Sequence, residues 1–355
     1  MHILFFIVSF WAIFVSSLKM KKKLLNLIIA FLPAYIMIAT RISWLPDDPN
    51  YYEHWNIFHG FTFSEYLISM GSGGKFEPGF WLLEQIPSFN AITVLISTLY
   101  VFTLIFVIYT FVPTKYYPFV VALVFFNSQF ATSLSARRTT VAMCLFMIAV
   151  VLKCKEKRLL SMFIAVSSVL FHNTAVFMLP FIFIPLNFAE KHFKLVMLGV
   201  VSVIILAMMF PGFFSDLFIE NSEETALGHY AKYAETSGTI SLAGIILQLF
   251  TTIIILFVVL SYTQNPKSGS YSFFFLMALV YFLLSILNIG QARIKVYSSL
   301  FAFIFVIQSY LQRHNETTKA LLILFVTSMT IGYLLWYQKL GDYEGSFSNY
   351  SSFLF

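Results

Sequence analysis

The chain has 355 residues, 59% hydrophobic and 11% charged, with a mean hydropathy of +0.83. Soluble domains carry about 25% charged residues, so an ordinary soluble globular domain is excluded. The net charge of +6 does not signal nucleic-acid binding, because the basic residues fall between apolar segments and form no stripe.

Apolar runs of the length that crosses a ~30 Å hydrocarbon core recur along the chain. They lie near 2–18, 24–40, 88–111, 118–134, 138–152, 159–171, 174–189, 195–211, 240–262, 271–289, 297–311 and 319–337. The fold class expected is all-α: a polytopic transmembrane bundle of about 12 spans, one integral membrane domain over 1–355 with two larger extracytoplasmic loops, 41–87 and 212–239. The first run has no basic stretch before it and no small-residue cleavage pattern, and reads as a retained span. Cys144 and Cys154 make neither a disulfide framework nor a metal spacing.

Charge sets the expected orientation. Fourteen of the 22 basic residues fall in one alternating set of connections, at Lys19 to Lys23, Lys115, Lys153 to Arg158, Lys191 and Lys194, Lys267, and Arg313 with Lys319. The positive-inside rule makes that set cytoplasmic, so both termini face outward. The 31 residues between Arg158 and Glu190 are long for one helix and short for two spans. We read a hairpin there, with its tip below the outer membrane surface.

Four of six arginines (Arg41, Arg137, Arg138 and Arg293) then fall on the outward side, where positive charge is otherwise disfavoured. Arginine offers a planar fork of donors to phosphate oxygens and keeps its charge in dry surroundings. An intramembrane charge usually marks function, and three such arginines on one side suggest an anionic headgroup site; the plainer alternative is interfacial snorkelling. Two acidic motifs lie in the first outer loop, Asp47-Asp48-Pro49-Asn50-Tyr51-Tyr52 and Glu77-Pro78-Gly79-Phe80. A carboxylate beside a membrane cavity can take a proton from a sugar hydroxyl. Adjacent aspartates can instead hold a divalent cation, or belong to a solvated turn. His172, in Phe171-His172-Asn173-Thr174-Ala175, sits at the second hairpin tip, where it is either structural or a catalytic base. His54 and His59 are five apart, which is no metal spacing, and there is no Walker loop or Gly-x-Ser-x-Gly elbow.

In this order the motifs resemble the EpsG-like family of bacterial polysaccharide polymerases, relatives of the Wzy-type O-antigen polymerases. An acidic residue before a Tyr is matched by Asp47 or Asp48 with Tyr51 and Tyr52, and Glu-Pro-Gly-aromatic by Glu77 to Phe80. A helix-opening arginine is matched by Arg138, His-x-Ser/Thr-Ala by His172, Thr174 and Ala175, and a late Arg followed by Tyr by Arg293 and Tyr297. The family often has Gln after the helix-opening arginine, where this chain has Thr139, so either Arg137 or Arg138 can be the counterpart.

The resemblance implies a glycosyltransferase-type polymerase that joins undecaprenyl-diphosphate-linked oligosaccharide repeats on the outer face of the bacterial inner membrane, without a cofactor. Arg137, Arg138 and Arg293 would hold the diphosphate, and Glu77 or His172 would be the general base, with Asp47 beside them. Asp48, Tyr51, Tyr52, Tyr297 and Arg41 would contact substrate, and Tyr and Trp within 44–66 would stack on sugar faces. The expected partners are the lipid-linked oligosaccharide, the bilayer and a chain-length regulator protein, with no nucleic acid. The competing readings are a flippase for the same lipid-linked glycan, an O-antigen ligase, and a polyprenyl-dependent transferase of single sugars. A flippase favours two related halves, and no internal repeat is visible.

Overall fold

The computed structural model describes residues 2–42, 47–71, 76–125, 136–209, 242–264, 269–286, 292–312, 316–324 and 351–352. These are helical apart from short connections and a two-residue antiparallel ladder, Arg41 with Ser352 and Ile42 with Ser351. The chain divides into two compact units: 1–184 with 328–355, and 185–327.

The first unit is built on α1 (His2–Ser17), α2 (Lys23–Ala39), α6 (Phe89–Phe111), α7 (Tyr117–Phe125) and α8 (Arg137–Cys154). Between α2 and α6 come α3 (Asp48–Phe58), α4 (Phe63–Gly71) and α5 (Pro78–Glu84). The 41–87 segment is therefore largely helical rather than irregular. Pro49 and Pro78 stand in the first turns of α3 and α5, where a missing N–H breaks no helical bond.

Several buried polar groups in this unit donate to nearby backbone carbonyls, as a low-dielectric setting favours. Asn26 is fully buried and donates to the carbonyls of Val15 and Leu18 at 2.8 and 3.1 Å, closing the open end of α1 onto α2. On α6 the hydroxyls of Thr93, Thr98, Thr103 and Thr110 donate to carbonyls four residues back. At 23 residues, α6 rises roughly 35 Å. It and Ile294–Gln312 are the two described helices long and apolar enough to cross a bilayer unaided. Large apolar side chains stand exposed along the shorter helices, such as Phe10, Leu159, Phe163 and Leu198. A water-facing protein seldom shows so much bare apolar surface.

The 158–190 stretch forms a hairpin, as its length suggests, but from shorter helices than its two apolar runs. The sequence suggests spans at 159–171 and 174–189; the structure has α9 (Arg158–Val169), a 3-10 segment (Asn173–Met178) and α10 (Leu179–Phe183). Twelve residues of helix rise only about 18 Å, well short of a ~30 Å core. The stretch thus turns back on itself as a hairpin with His172 at its turn, its legs shorter than full spans. Lys153 anchors the returning leg, donating to the carbonyls of Phe181 and Ile184 at 2.6 and 2.5 Å, the carbonyls left open where α10 ends.

The second unit contains α11 (Phe188–Lys191), α12 (Phe193–Met209), α13 (Leu242–Gln264), α14 (Gly269–Ile286), α15 (Ala292–Gln312) and a helical stretch over 316–324. Its centre is aromatic: Tyr262 lies flat on Phe275 at 3.9 Å, and Phe274 is parallel to Phe301 at 5.7 Å. The expected second loop, 212–239, lies outside the described residues, as do parts of the runs at 118–134 and 319–337.

Candidate functional site

Glu77 is the meeting point of the first unit. It immediately precedes α5, where Pro78 fixes the first helical φ, and its extended backbone turns the carboxylate away from the helix. Oε2 accepts from Arg138 Nη1 at 2.7 Å, and Oε1 accepts from His172 Nδ1 at 2.7 Å and from the Asn173 N–H at 3.1 Å. Residues 61 and 95 positions away thus converge on one carboxylate. Because a carboxylate only accepts, His172 carries a proton on Nδ1 in this contact.

A glycine makes this convergence possible. The Gly79 N–H donates to the Leu170 carbonyl at 2.7 Å. A Cβ at position 79 would sit 2.6 Å from that oxygen, so the backbones of α5 and the hairpin tip can meet only at a glycine. The Glu-Pro-Gly run therefore has one physical sense: carboxylate, helix start, close approach.

Burial alone would raise the Glu77 pKa. The His172 hydrogen bond, the Arg138 charge and the Asn173 N–H outweigh it and bring the group down to about 2. Glu77 is thus a held anion.

The second cluster surrounds Asp48, which has no exposure. Arg137 reaches it through Nε at 2.8 Å and Nη2 at 2.7 Å, and Arg41 through Nε at 3.2 Å. Arg137 Nη1 also donates to Thr93 at 2.8 Å, and its guanidinium lies 4.2 Å over Phe89. Arg41 is brought down to about 10 by burial and by Arg137, against the pull of Asp48, and stays charged at neutral pH. Arg137 is 1% exposed and Arg138 14%, so the adjacent arginines have different surroundings. Tyr51 links the clusters: its hydroxyl accepts from the Arg138 backbone N–H at 3.4 Å, and its ring packs on Phe76 and Phe80.

A third pair, which the sequence did not suggest, joins His54 to Glu84. His54 Nδ1 is hydrogen-bonded to a fully buried Glu84, and its ring stacks on Phe76 at 3.8 Å. Arg138 lies 4.1 Å over the same Phe76 ring. Burial raises the Glu84 pKa against the opposing effects of His54 and Arg138. The five-residue spacing of His54 and His59 does not report this pairing, since the partner is 30 residues away. Thr93, Phe76, Phe89 and Asn173 also went unmarked; only Asn173 had a cue, as the neighbour of His172.

The structure thus gathers Arg41, Asp48, Tyr51, Glu77, Arg137, Arg138 and His172 in the first unit. Asp47 begins α3, half-buried, and Tyr52 points outward from that helix, 49% exposed. Arg293 and Tyr297 are one turn apart on α15 in the second unit; Tyr297 is fully buried, and the Arg293 side chain lies outside the described residues. Among the described residues no three His, Cys, Asp or Glu side chains gather as a metal site would require.

The molecule is a helical membrane protein with buried arginine–carboxylate pairs. The chain matches the EpsG family over residues 24–352, nearly its whole length, and belongs to it. Membership carries a coarse activity: a membrane protein of polysaccharide biosynthesis, a glycosyltransferase-like polymerase. No curated protein and no solved structure matches the chain.

Proposed function

We propose that the chain joins polyprenyl-diphosphate-linked oligosaccharide repeats on the outer face of the bacterial inner membrane, with undecaprenyl diphosphate as carrier. It would do so as a multi-pass protein of about 12 spans with both termini outward. The observation that carries this reading is the Arg138–Glu77–His172 cluster, which sets a cation, a held anion and a base within hydrogen-bond reach of one another.

In the proposed reaction an acceptor hydroxyl oxygen attacks the anomeric carbon of the growing glycan. A new C–O glycosidic bond forms as the bond from that carbon to the diphosphate oxygen breaks. The hydroxyl proton passes to His172 Nε2, and the lipid diphosphate leaves with the bonding electron pair. Glu77 is too acidic, at about 2, to act well as the base. Its role is to hold the Nδ1–H tautomer of His172 and to stabilise the imidazolium as it forms, while Arg138 meets the charge developing on the diphosphate. Arg137 and Arg41, whose guanidinium groups are engaged on Asp48, act as supports rather than direct ligands. Asp47, Tyr51 and Tyr52 orient sugar; Arg293 and Tyr297 contact substrate; a chain-length regulator is a further partner.

The test is a gel of surface glycolipids from a strain lacking the gene, complemented with wild type, Arg138→Ala or His172→Ala. The expected pattern for the null strain and both variants is collapse of the ladder to a single capped repeat, with the variant proteins still in the membrane. A normal ladder from either variant removes that residue from the mechanism. Loss of every band, with lipid-linked repeats accumulating inside, marks a flippase instead.

A further inference from the structure

We propose that a row of rings on α3, exposed Tyr52 and His59 on either side of half-buried Trp55, is a platform for the glycan that accepts the growing chain. This rests on the polymerase reading and adds a substrate surface to it.

The three residues follow one another at helical spacing, so their rings share one side of α3. Tyr52 and Trp55 are 6.0 Å apart between ring centroids and tilted by 33°; Trp55 and His59 are 5.0 Å apart and tilted by 36°. The row is held from within. The Trp55 indole N–H donates to the Ile86 carbonyl at 3.1 Å, and His59 Nδ1 donates to the Glu84 carbonyl at 2.8 Å. His54 binds the Glu84 side chain, so the end of α5 latches α3 at three points. The strip leads into the charged cluster: Tyr52 meets Phe89 edge-on at 5.3 Å, and the Arg137 guanidinium lies over that same Phe89 ring.

Sugar rings present C–H faces that stack on aromatic surfaces and hydroxyls that need hydrogen-bonding partners. Fixed aromatic faces bind such a ligand at low entropic cost. Glu53 and Asn56 are exposed on α3 beside Tyr52 and supply the polar partners. An interfacial anchor would be built differently. Membrane-belt tryptophans keep their N–H for the wet headgroup region, whereas the Trp55 N–H is committed to a protein carbonyl. A row of linked rings, longer than one sugar, fits an extended glycan.

The experiment uses the full-length protein in lipid nanodiscs and, as probes, one-repeat and two-repeat oligosaccharides cut from the host's own polymer. Binding is read by saturation-transfer NMR, and acceptor KM and kcat are read in a polymerisation assay. Trp55→Ala and Tyr52→Ala each weaken probe binding and raise acceptor KM about tenfold with little change in kcat, as loss of a stacking anchor should. Trp55→Phe, which keeps an aromatic face, restores most of the binding. Tyr52, already half exposed, tests the idea without loss of a buried group. If the wild type polymerises while neither variant changes binding or KM, the platform is wrong and the polymerase reading stands. If the probes bind in a Trp55-dependent way but no polymer forms, the platform stands and the polymerase reading falls. If Trp55→Ala keeps probe affinity but loosens the protein from the bilayer, the strip is a membrane anchor and the proposal is overturned.

Discussion

Asp48, in the first unit, has no exposure and faces two arginines; in the second unit, buried Tyr271 shares a hydrogen bond with buried Ser309 at 2.8 Å. Both arrangements satisfy polar groups away from water, but at very different cost. Stripping water from a carboxylate and two guanidinium groups costs several kcal/mol per ion, and the mutual attraction offsets this only with good geometry. A hydroxyl pair costs far less and contributes about 1 kcal/mol. A fold that needs only stability has little use for the expensive arrangement. The first unit carries it on Asp48 and adds buried or half-buried carboxylates at Glu77, held by Arg138 and His172, and at Glu84, held by His54, all in the segment between α2 and α6. The second unit's described core relies on stacked rings and hydroxyls: Tyr262 on Phe275, and Ser272 receiving hydrogen bonds from Tyr262 and the Glu190 N–H. The contrast separates a region held by buried carboxylate pairs from one whose described core is stacked rings, and it can be broken by experiment.

The largest effect is expected at Asp48. Replacing it with Ala leaves Arg41 and Arg137 buried side by side with no shared anion. Removing one member of such a network costs about 3–5 kcal/mol. Asp48→Ala should therefore reduce folded protein in the membrane and lower the thermal midpoint in detergent by many degrees. An unchanged midpoint would mean that the triad is not a structural support.

Gly79→Ala comes next. The added methyl must move the Leu170 carbonyl or α5, and overpacking of this kind costs roughly 1–3 kcal/mol. Activity should fall further than stability, because the same shift separates Glu77 from His172. Polymerisation reduced at least about tenfold, in protein that still folds, is the expected result. Full activity would show that the close approach is incidental.

Several of these relations could be read before any coordinates. The apolar runs, the outward arginines and the order of motifs follow directly from residue type and spacing. Membrane character and family were legible for that reason, as were Glu77, Arg138 and His172 as candidates. Partner choice was not. Whether Arg137 or Arg138 would meet Glu77 depends on the rotation of α8, which two adjacent arginines cannot report. The 158–190 hairpin was legible from its length, but its division into a short helix and a 3-10 segment was not, because an apolar run reads the same in either form. His54 and Glu84 escaped notice because a pairing across 30 residues leaves no periodic trace.

The pH response sharpens the comparison at a single carboxylate. Glu77 is held at about 2 against an ordinary value of 4.5, so folding favours its ionised form. The stability it contributes is fully present above about pH 4.5 and is lost as pH falls toward about 2, where the folded state also takes up the proton. Glu77→Gln should flatten that acid limb of the unfolding curve and weaken activity at neutral pH as well. An acid limb identical to wild type would mean that other carboxylates govern it.

The smallest effect belongs to the second unit. Tyr271→Phe keeps the ring that stacks on Phe305 at 5.1 Å and removes only the hydroxyl shared with Ser309. The expected cost is about 1 kcal/mol, a shift of a few degrees at most, with no change in the pH profile and polymer length as in wild type. The serine can turn to a backbone carbonyl of its own helix, which keeps the loss small. A large loss of polymer in this variant, at near-normal stability, would show that the aromatic core serves the reaction and not packing alone.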